Sequence, residues 1–431
     1  GPSSRLDCSN SQKTSSRFLL ELKTYLYPVG KFLYNIGIVG YLMGIYIAAP
    51  FNKKARLWIK GRKNQVFNNH TDCIWFHCAS LGEFEQARPV IEEVKRKWPK
   101  QSIVLTFFSP SGYENKKDYP LADGIYYLPI DTSSNASKFL DIVNPRLAIF
   151  VKYEVWHHFF KQLKIRNTSL YLIAATFRPN QIYFKSYGGF MFSTLQLCTK
   201  VFTQDNASLK LLESKGEIAA MQAGDTRYDR VIEQRTEVNQ NDRIAQFKKE
   251  KLLVILGSSW QVEEELIMPI LNSENFKHVQ FIIAPHDVSD RHVNEISKRI
   301  KIPIDYYKEA PVKDASVMIL NTIGQLASAY YYADIAVIGG GFTNALHNIL
   351  EPATFGIPVV YGNNHSKYPE GKELAESGGG FAVSSAEFSQ IIKLLITDTS
   401  KRKQSGAAAK KFVESRSGAT AVLIEELKSM L

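Results

Sequence analysis

Short apolar runs alternate with helical patterns from residue 72 to residue 383, and that alternation constrains the fold more than any other feature. In the first half the runs predict strands at 74–78, 102–107, 125–128, 147–151, 170–174 and 200–203. In the second half they predict strands at 252–256, 279–284, 317–320, 335–338, 358–361 and 380–383. Strands joined through helices pair in parallel, so the pattern predicts an α/β protein with two doubly wound sheets. A chain of 431 residues exceeds one ordinary core, which agrees with two domains. The polar stretch 233–250, rich in Gln, Asn, Arg and Lys, reads as a linker between domains at 65–232 and 251–404. The tail, 405–431, reads as helix.

Residues 1 to about 30 begin Gly-Pro without an initiator Met and are set aside as a tail or expression remnant. Residues 32–51 carry no charge and are just long enough to cross a bilayer. Gly40 and Gly44 form a small-xxx-small pair, and a basic run follows with Lys53, Lys54, Arg56, Lys60, Arg62 and Lys63. Such a flank holds to an anionic cytoplasmic surface, so 31–64 is expected to be membrane-associated, either spanning or lying on the lipid. The formal charge of +11 calls for anionic partners. Its basic residues gather at this flank instead of interleaving with aromatics, so nucleic acid is not an expected partner. Four cysteines, Cys8, Cys73, Cys78 and Cys198, show no paired zinc spacing, and a reducing compartment is expected.

Cys73-Ile-Trp-Phe-His-Cys-Ala-Ser-Leu-Gly-Glu-Phe-Glu-Gln-Ala87 reads as strand, Gly-containing loop and helix start. Glu83 falls where loop becomes helix, at the carboxyl end of a strand where open parallel sheets bind ligands. Two readings stand: a general base, or an acid complementing the helix dipole.

The segment from Ile338 to Gly362 carries the nucleotide expectation. A strand ends in Gly339, Gly340 and Gly341, where missing side chains admit a ligand to the backbone. His347 and Asn348 precede a short helix whose start suits a phosphate, with Asn348 as its cap. Glu351 stands one turn on, placed to accept two ribose hydroxyls. Ser258 and Ser259 open a helix after the first strand of the second half; they bind phosphate or sugar oxygens, or cap that helix with downstream glutamates. Pro285-His286 follow the next strand, with His286 facing a base or a phosphate.

Taken together, Ser80-Leu-Gly-Glu83, Gly257-Ser-Ser, Ile323-Gly-Gln-Leu326 before Ala333-Asp334, and His347-Asn-x-Leu-Glu-Pro352 resemble the Kdo transferases. These are the 3-deoxy-D-manno-oct-2-ulosonic acid (Kdo) transferases of Gram-negative lipopolysaccharide synthesis. The resemblance covers most of the chain from about residue 32. It implies a GT-B fold, two Rossmann-like domains facing a central cleft with an amino-terminal membrane anchor. It also implies CMP-Kdo as donor, the lipid A precursor as acceptor, and attachment at the cytoplasmic face of the inner membrane. Glu83 matches the family's catalytic base, supported by the Ser80–Gly82 loop. The chain departs from the common pattern at Ala345-Leu346, where paired glycines are usual, and at Ala284-Pro-His-Asp287, where Pro-Arg-His is expected. Lys152-Tyr-Glu-Val-Trp156 has a lysine in place of an acid, while Arg227 in Gly224-Asp-Thr-Arg keeps the family's cation.

A positioned carboxylate that deprotonates the acceptor hydroxyl contributes roughly 10²–10⁴-fold. Glu83 is assigned that role, giving inversion by direct displacement. The donor carboxylate and acceptor phosphates call for cations, and Lys152, Arg178 and Arg227 are the candidates, each of which has an acid-pairing alternative. No cofactor is expected, because one departing phosphate can be held by a helix end and cations. The nine histidines include no zinc spacing, and His157-His158 sit side by side on a predicted surface helix. Two other functions remain open: a UDP-sugar GT-B transferase or epimerase, and a non-catalytic membrane-bound nucleotide-sugar-binding protein.

Overall fold

The computed structural model describes residues 8–238 and 240–431, with side chains from Tyr27 onward. The chain forms two units, one running to Arg227 and resuming at Gly418–Leu431, the other spanning Tyr228–Ser417.

The first unit holds one parallel sheet of β1 (Cys73–Cys78), β2 (Ile103–Phe107), β3 (Gly124–Tyr127), β4 (Pro145–Val151), β5 (Ser169–Ala175), β6 (Lys200–Thr203) and β7 (Ala220–Gln222). Its order is β3-β2-β1-β4-β5-β6-β7, so the winding reverses between β1 and β4. Every β1 side chain is buried, as a strand covered on both faces requires. Cys73 and Trp75 enter the core on one face; Ile74, Phe76 and Cys78 enter the core on the other. Cys73, Cys78 and Cys198 are buried and free.

The second unit repeats the plan with β8 (Leu252–Ser259), β9 (Val279–Pro285), β10 (Ile304–Tyr306), β11 (Val317–Ile319), β12 (Ile335–Ile338), β13 (Val359–Gly362) and β14 (Gly380–Val383). The order is β10-β11-β9-β8-β12-β13-β14, reversing between β8 and β12. Both reversals are topological switch points, where the loops after neighbouring strands diverge and leave room for a ligand.

The segment expected as a linker is mostly helical. Helices Thr226–Glu237 and Asp242–Lys248 occupy it, and Ile244 and Phe247 insert into the second unit's core. Polar composition misled here because only one narrow face of each helix is apolar. The tail holds two helices, Thr399–Glu414 and Ala419–Lys428, broken where Gly418 adopts a φ of 111°. Leu423, Ile424 and Leu427 of the last helix pack in the first unit's core.

At the amino terminus, α1 (Cys8–Ala48) is one continuous helix, so residues 8–30 are more than a tail. Tyr27, Gly30, Lys31, Tyr34, Ile38, Leu42, Ile45 and Ala48 form a half-buried stripe at helical spacing against the first unit. Phe32, Leu33, Ile36, Val39, Met43 and Ile47 on the opposite face are each more than half exposed. The stripe is anchored by Tyr34, whose hydroxyl donates to Asp131 Oδ2 at 2.5 Å, and by Phe190, which packs against Tyr27 and Tyr34. A Cβ at Gly30 would strike the Phe190 ring.

His157 and His158 are buried, contrary to the surface placement expected for them. Asp131 explains this: its carboxylate accepts the backbone N–H groups of His158 and Phe159, each at 3.0 Å, and so caps helix His157–Ile165 from a distant loop. His157 Nδ1 lies 2.9 Å from Thr194 Oγ1, and His158 Nε2 lies 2.8 Å from Asn35 Oδ1 on α1. Burial pushes Asp131 up to about 6 and His157 down to about 4.

The short helix α2 (Lys53–Lys63) follows, capped by Asn52 Oδ1 and held by buried Ala55 and Trp58. Its remaining cations Lys53, Lys54, Arg56, Lys60 and Lys63 are exposed, whereas Arg62 turns inward and stacks 3.8 Å from the Trp58 ring.

Candidate functional site

At the first switch point, the loop after β1 leads into α3 (Leu81–Lys97). Ser80 occupies the cap position but makes no side-chain bond to the backbone; its hydroxyl donates instead to Glu83 Oε2. Glu83 therefore sits in the first turn, where the helix dipole favours its charge. From the loop after β4, Lys152 brings its Nζ within 3.9 Å of Glu83 Oε1. Neither side chain is sealed: 18% of Glu83 and 25% of Lys152 remains accessible, enough for a substrate group to reach both. Lys152 holds a φ of 61°, a conformation side chains rarely adopt, which is maintained by its N–H bond to Ile173 O. A Cβ at Gly82 would meet only Ser80 Oγ, at 3.8 Å, so the loop has room at Gly82 itself.

Glu154 and Trp156 of the Lys152–Trp156 segment join a network whose β1 and β2 members sequence reasoning missed. Glu154 Oε2 accepts from Trp156 Nε1 at 2.8 Å and lies 3.1 Å from His77 Nε2. His77 Nδ1 is 2.9 Å from Thr106 Oγ1, which also accepts from Trp75 Nε1 at 2.8 Å. His77 is fully buried in mid-strand, where it reads as one more core position. The only available signal was a histidine inside an otherwise apolar run.

The other predicted cations lie differently. Arg178 is exposed in the loop after β5. Arg227 faces its neighbour Asp225, with Nη2 at 2.7 Å and Nε at 3.0 Å from the same carboxylate oxygen, so its charge is already engaged.

In the second unit the loops after β8, β9 and β12 converge. Ser258 is half-exposed with a φ of 49°. The Ser259 hydroxyl donates to Glu264 Oε1 at 2.9 Å, while the cap position of that helix is Trp260. Glu263 ties the loops together: one carboxylate oxygen accepts from the Trp260 N–H and the other from the Gly340 N–H. Burial raises its pKa.

The three glycines turn out to serve packing. A Cβ at Gly339 would lie 2.0 Å from Ser258 O, at Gly340 2.1 Å from Ala345 O, and at Gly341 2.5 Å from Gly362 N. They let loops approach each other closely; Gly340 also needs its φ of 83°.

Asn348 Oδ1 accepts from the Leu350 N–H at 3.0 Å and its Nδ2 donates to Glu351 Oε1 at 3.1 Å. The helix it introduces is short, Leu350–Thr354. Pro285 ends β9, and exposed His286 stacks on Trp260 with ring centres 5.1 Å apart and planes 17° apart. Trp260 Nε1 donates to His347 Nε2 at 3.1 Å, and the His286 and His347 rings are 4.8 Å apart. Trp260 directly follows Gly257-Ser-Ser, yet nothing in its spacing marked it as a site residue. Among the described residues no group of three His, Cys, Asp or Glu side chains could hold a metal ion.

The first unit thus offers a switch-point carboxylate beside a cation, and the second an aromatic–histidine cluster beside glycine-bound loops. Comparison with known proteins gives the relatives and the fold. Residues 53–230 match the family model described as 3-deoxy-D-manno-octulosonic-acid transferase (kdotransferase). The chain is 26% identical over 383 residues to the 3-deoxy-D-manno-octulosonic acid transferase of Haemophilus influenzae, covering 83% of this chain and 87% of the relative. It is 23% identical over 405 residues to that of Chlamydophila psittaci, covering 89% and 90%. In fold it is similar to UDP-GlcNAc 2-epimerase from Neisseria meningitidis, with a TM-score of 0.59 and 13% identity over 83% of this chain and 100% of that one. It is likewise similar to Acinetobacter baumannii MurG, with a TM-score of 0.53 and 13% identity over 84% and 99%. The two parallel-sheet units are those of the GT-B fold.

Proposed function

We propose, from the match of residues 53–230 to the 3-deoxy-D-manno-octulosonic-acid transferase family model, that the protein is an inverting glycosyltransferase moving Kdo from CMP-Kdo to the lipid A precursor. The observation that carries this reading is Glu83, held after β1 by Ser80 and Lys152 and still partly exposed.

The acceptor hydroxyl oxygen attacks the anomeric carbon while the bond from that carbon to the CMP phosphate oxygen breaks. Glu83 takes the hydroxyl proton, and the leaving phosphate gains a negative charge. Attack opposite the leaving group inverts the anomeric centre. Lys152 and Arg178 meet the donor carboxylate or the acceptor phosphates; Arg227, engaged by Asp225, contributes less. In the second unit His286, His347 and Ser258 face the cytidylate, and Glu351 takes the ribose hydroxyls.

The acceptor is a lipid, and α1 gives the protein its contact with anionic lipid at the cytoplasmic face of the inner membrane. The helix from Tyr27 to Ala48 is long and apolar enough to span a bilayer. One face, however, is laid along the first unit from Tyr27 to Ala48, through Tyr34, Asp131 and Phe190. A helix held this way lies in the interface plane with Phe32, Leu33, Ile36 and Met43 in the acyl boundary. The exposed lysines of α2 then meet lipid phosphates.

Mass spectrometry of products from the detergent-solubilised chain, CMP-Kdo and lipid IVA tests the reading. Addition of one or more Kdo residues supports it, and unchanged lipid with intact donor overturns it.

A further inference from the structure

The contact between Trp260 and His347 determines more than ring placement. An indole N–H is a donor only, so the His347 Nε2 it points to at 3.1 Å is the unprotonated, accepting nitrogen. A neutral imidazole in that arrangement carries its one proton on Nδ1. Burial and the neighbouring His286 ring both lower the His347 pKa, which opposes a second proton. His286 is stacked on the other partner, Trp260, so the three rings form one cluster with little freedom to exchange partners. Among the described residues, none bonds to His347 Nδ1, and the ring is half-exposed at the end of the loop after β12.

We propose that Trp260 is a positioning residue: it fixes His347 as the neutral Nδ1–H tautomer, leaving one directed N–H to donate to the phosphate of a nucleoside monophosphate. This rests on the reading of the second unit as the nucleotide-binding half. A tautomer fixed in advance means binding does not have to select one of two proton positions, and a neutral donor stabilises the phosphate without an ion pair that must later be broken.

Nitrogen-15 NMR of the full chain, labelled at histidine, reads the tautomer without requiring turnover. In the wild type His347 should show a protonated Nδ1 and an unprotonated Nε2, and CMP should shift the Nδ1–H resonance. Trp260→Phe keeps a ring for His286 to stack on but removes the donor. It should give an averaged tautomer signal and about three- to tenfold weaker CMP binding, the size of one ordinary hydrogen bond. His347→Asn, whose amide N–H sits near the Nδ1 position, should bind CMP better than His347→Gln. A protonated Nε2 in the wild type, an unchanged tautomer in Trp260→Phe, or an Nδ1–H resonance indifferent to saturating CMP would overturn the proposal. Failure of Kdo transfer with the expected tautomer and CMP shift would count against the proposed reaction instead.

Discussion

Lys152 Nζ stands 3.9 Å from Glu83 Oε1 across the point where the first sheet reverses its winding, while Ser80 holds the other oxygen of the same carboxylate. A part-exposed pair of this kind is worth about 0.2–1 kcal/mol, at most a fivefold effect. A lysine that also meets a substrate anion is worth more, about 1.5–3 kcal/mol. Lys152→Met should therefore lower kcat/KM by at least tenfold, mostly through a higher KM, and Lys152→Arg should recover most of that loss in steady-state assays. A fall of fivefold or less would confine Lys152 to its pairing with Glu83.

Nucleotide choice is the second expectation. The solved structures of similar fold named above include one bound to UDP-GlcNAc, but at 13% identity they define only the fold. Calorimetry should find CMP binding at least tenfold tighter than UDP. Equal affinities would point to a different donor.

Asp131 and His157 link the α1 contact to pH with opposite signs. Folded Asp131 keeps its proton up to about pH 6, while the unfolded carboxyl releases it near ~3.9, so acidification through that window favours the folded state. Folded His157 titrates near 4 against ~6.5 when unfolded, so its contribution is present above that range and is lost as pH falls through it. In the wild type the two trends offset each other. Asp131→Asn removes the first, so its melting temperature should drop more steeply than wild type between pH 6.5 and 4. Parallel curves would show that these groups do not govern acid stability.

The in-plane placement of α1 predicts a depth pattern. Spin labels at Val29, Ile36 and Met43 on liposome-bound protein should report similar shallow depths, because all three lie on the outer face. A maximum at Ile36 with shallow ends would indicate a crossing helix.

Much of this architecture could be read in the sequence because central strands are buried on both faces and so appear as unbroken apolar runs. The edge strands β7 and β10 escaped notice: each is three residues long, with partly exposed members such as Ala220 and Ile304. The Glu83 loop was legible as a strand-to-helix corner. The reason for the Gly339–Gly341 run was not, because the clashes that require glycine come from Ser258, Ala345 and Gly362, distant in sequence or across a turn. His157 and His158 read as polar surface because Asp131, their hidden partner, lies in another loop. His347 stood out in the sequence within His347-Asn-x-Leu-Glu-Pro352, but its bond to Trp260, which is 87 residues away, did not.

The central claim is that the Glu83 carboxylate accepts the proton of the attacking hydroxyl. Glu83→Gln is nearly isosteric and keeps an oxygen for Ser80 to donate to, so folding and CMP affinity should be preserved. Single-turnover transfer from CMP-Kdo to lipid IVA should then slow by roughly 10²–10⁴-fold with CMP affinity unchanged. Transfer at the wild-type rate by a Glu83→Gln protein that still binds CMP would contradict the account.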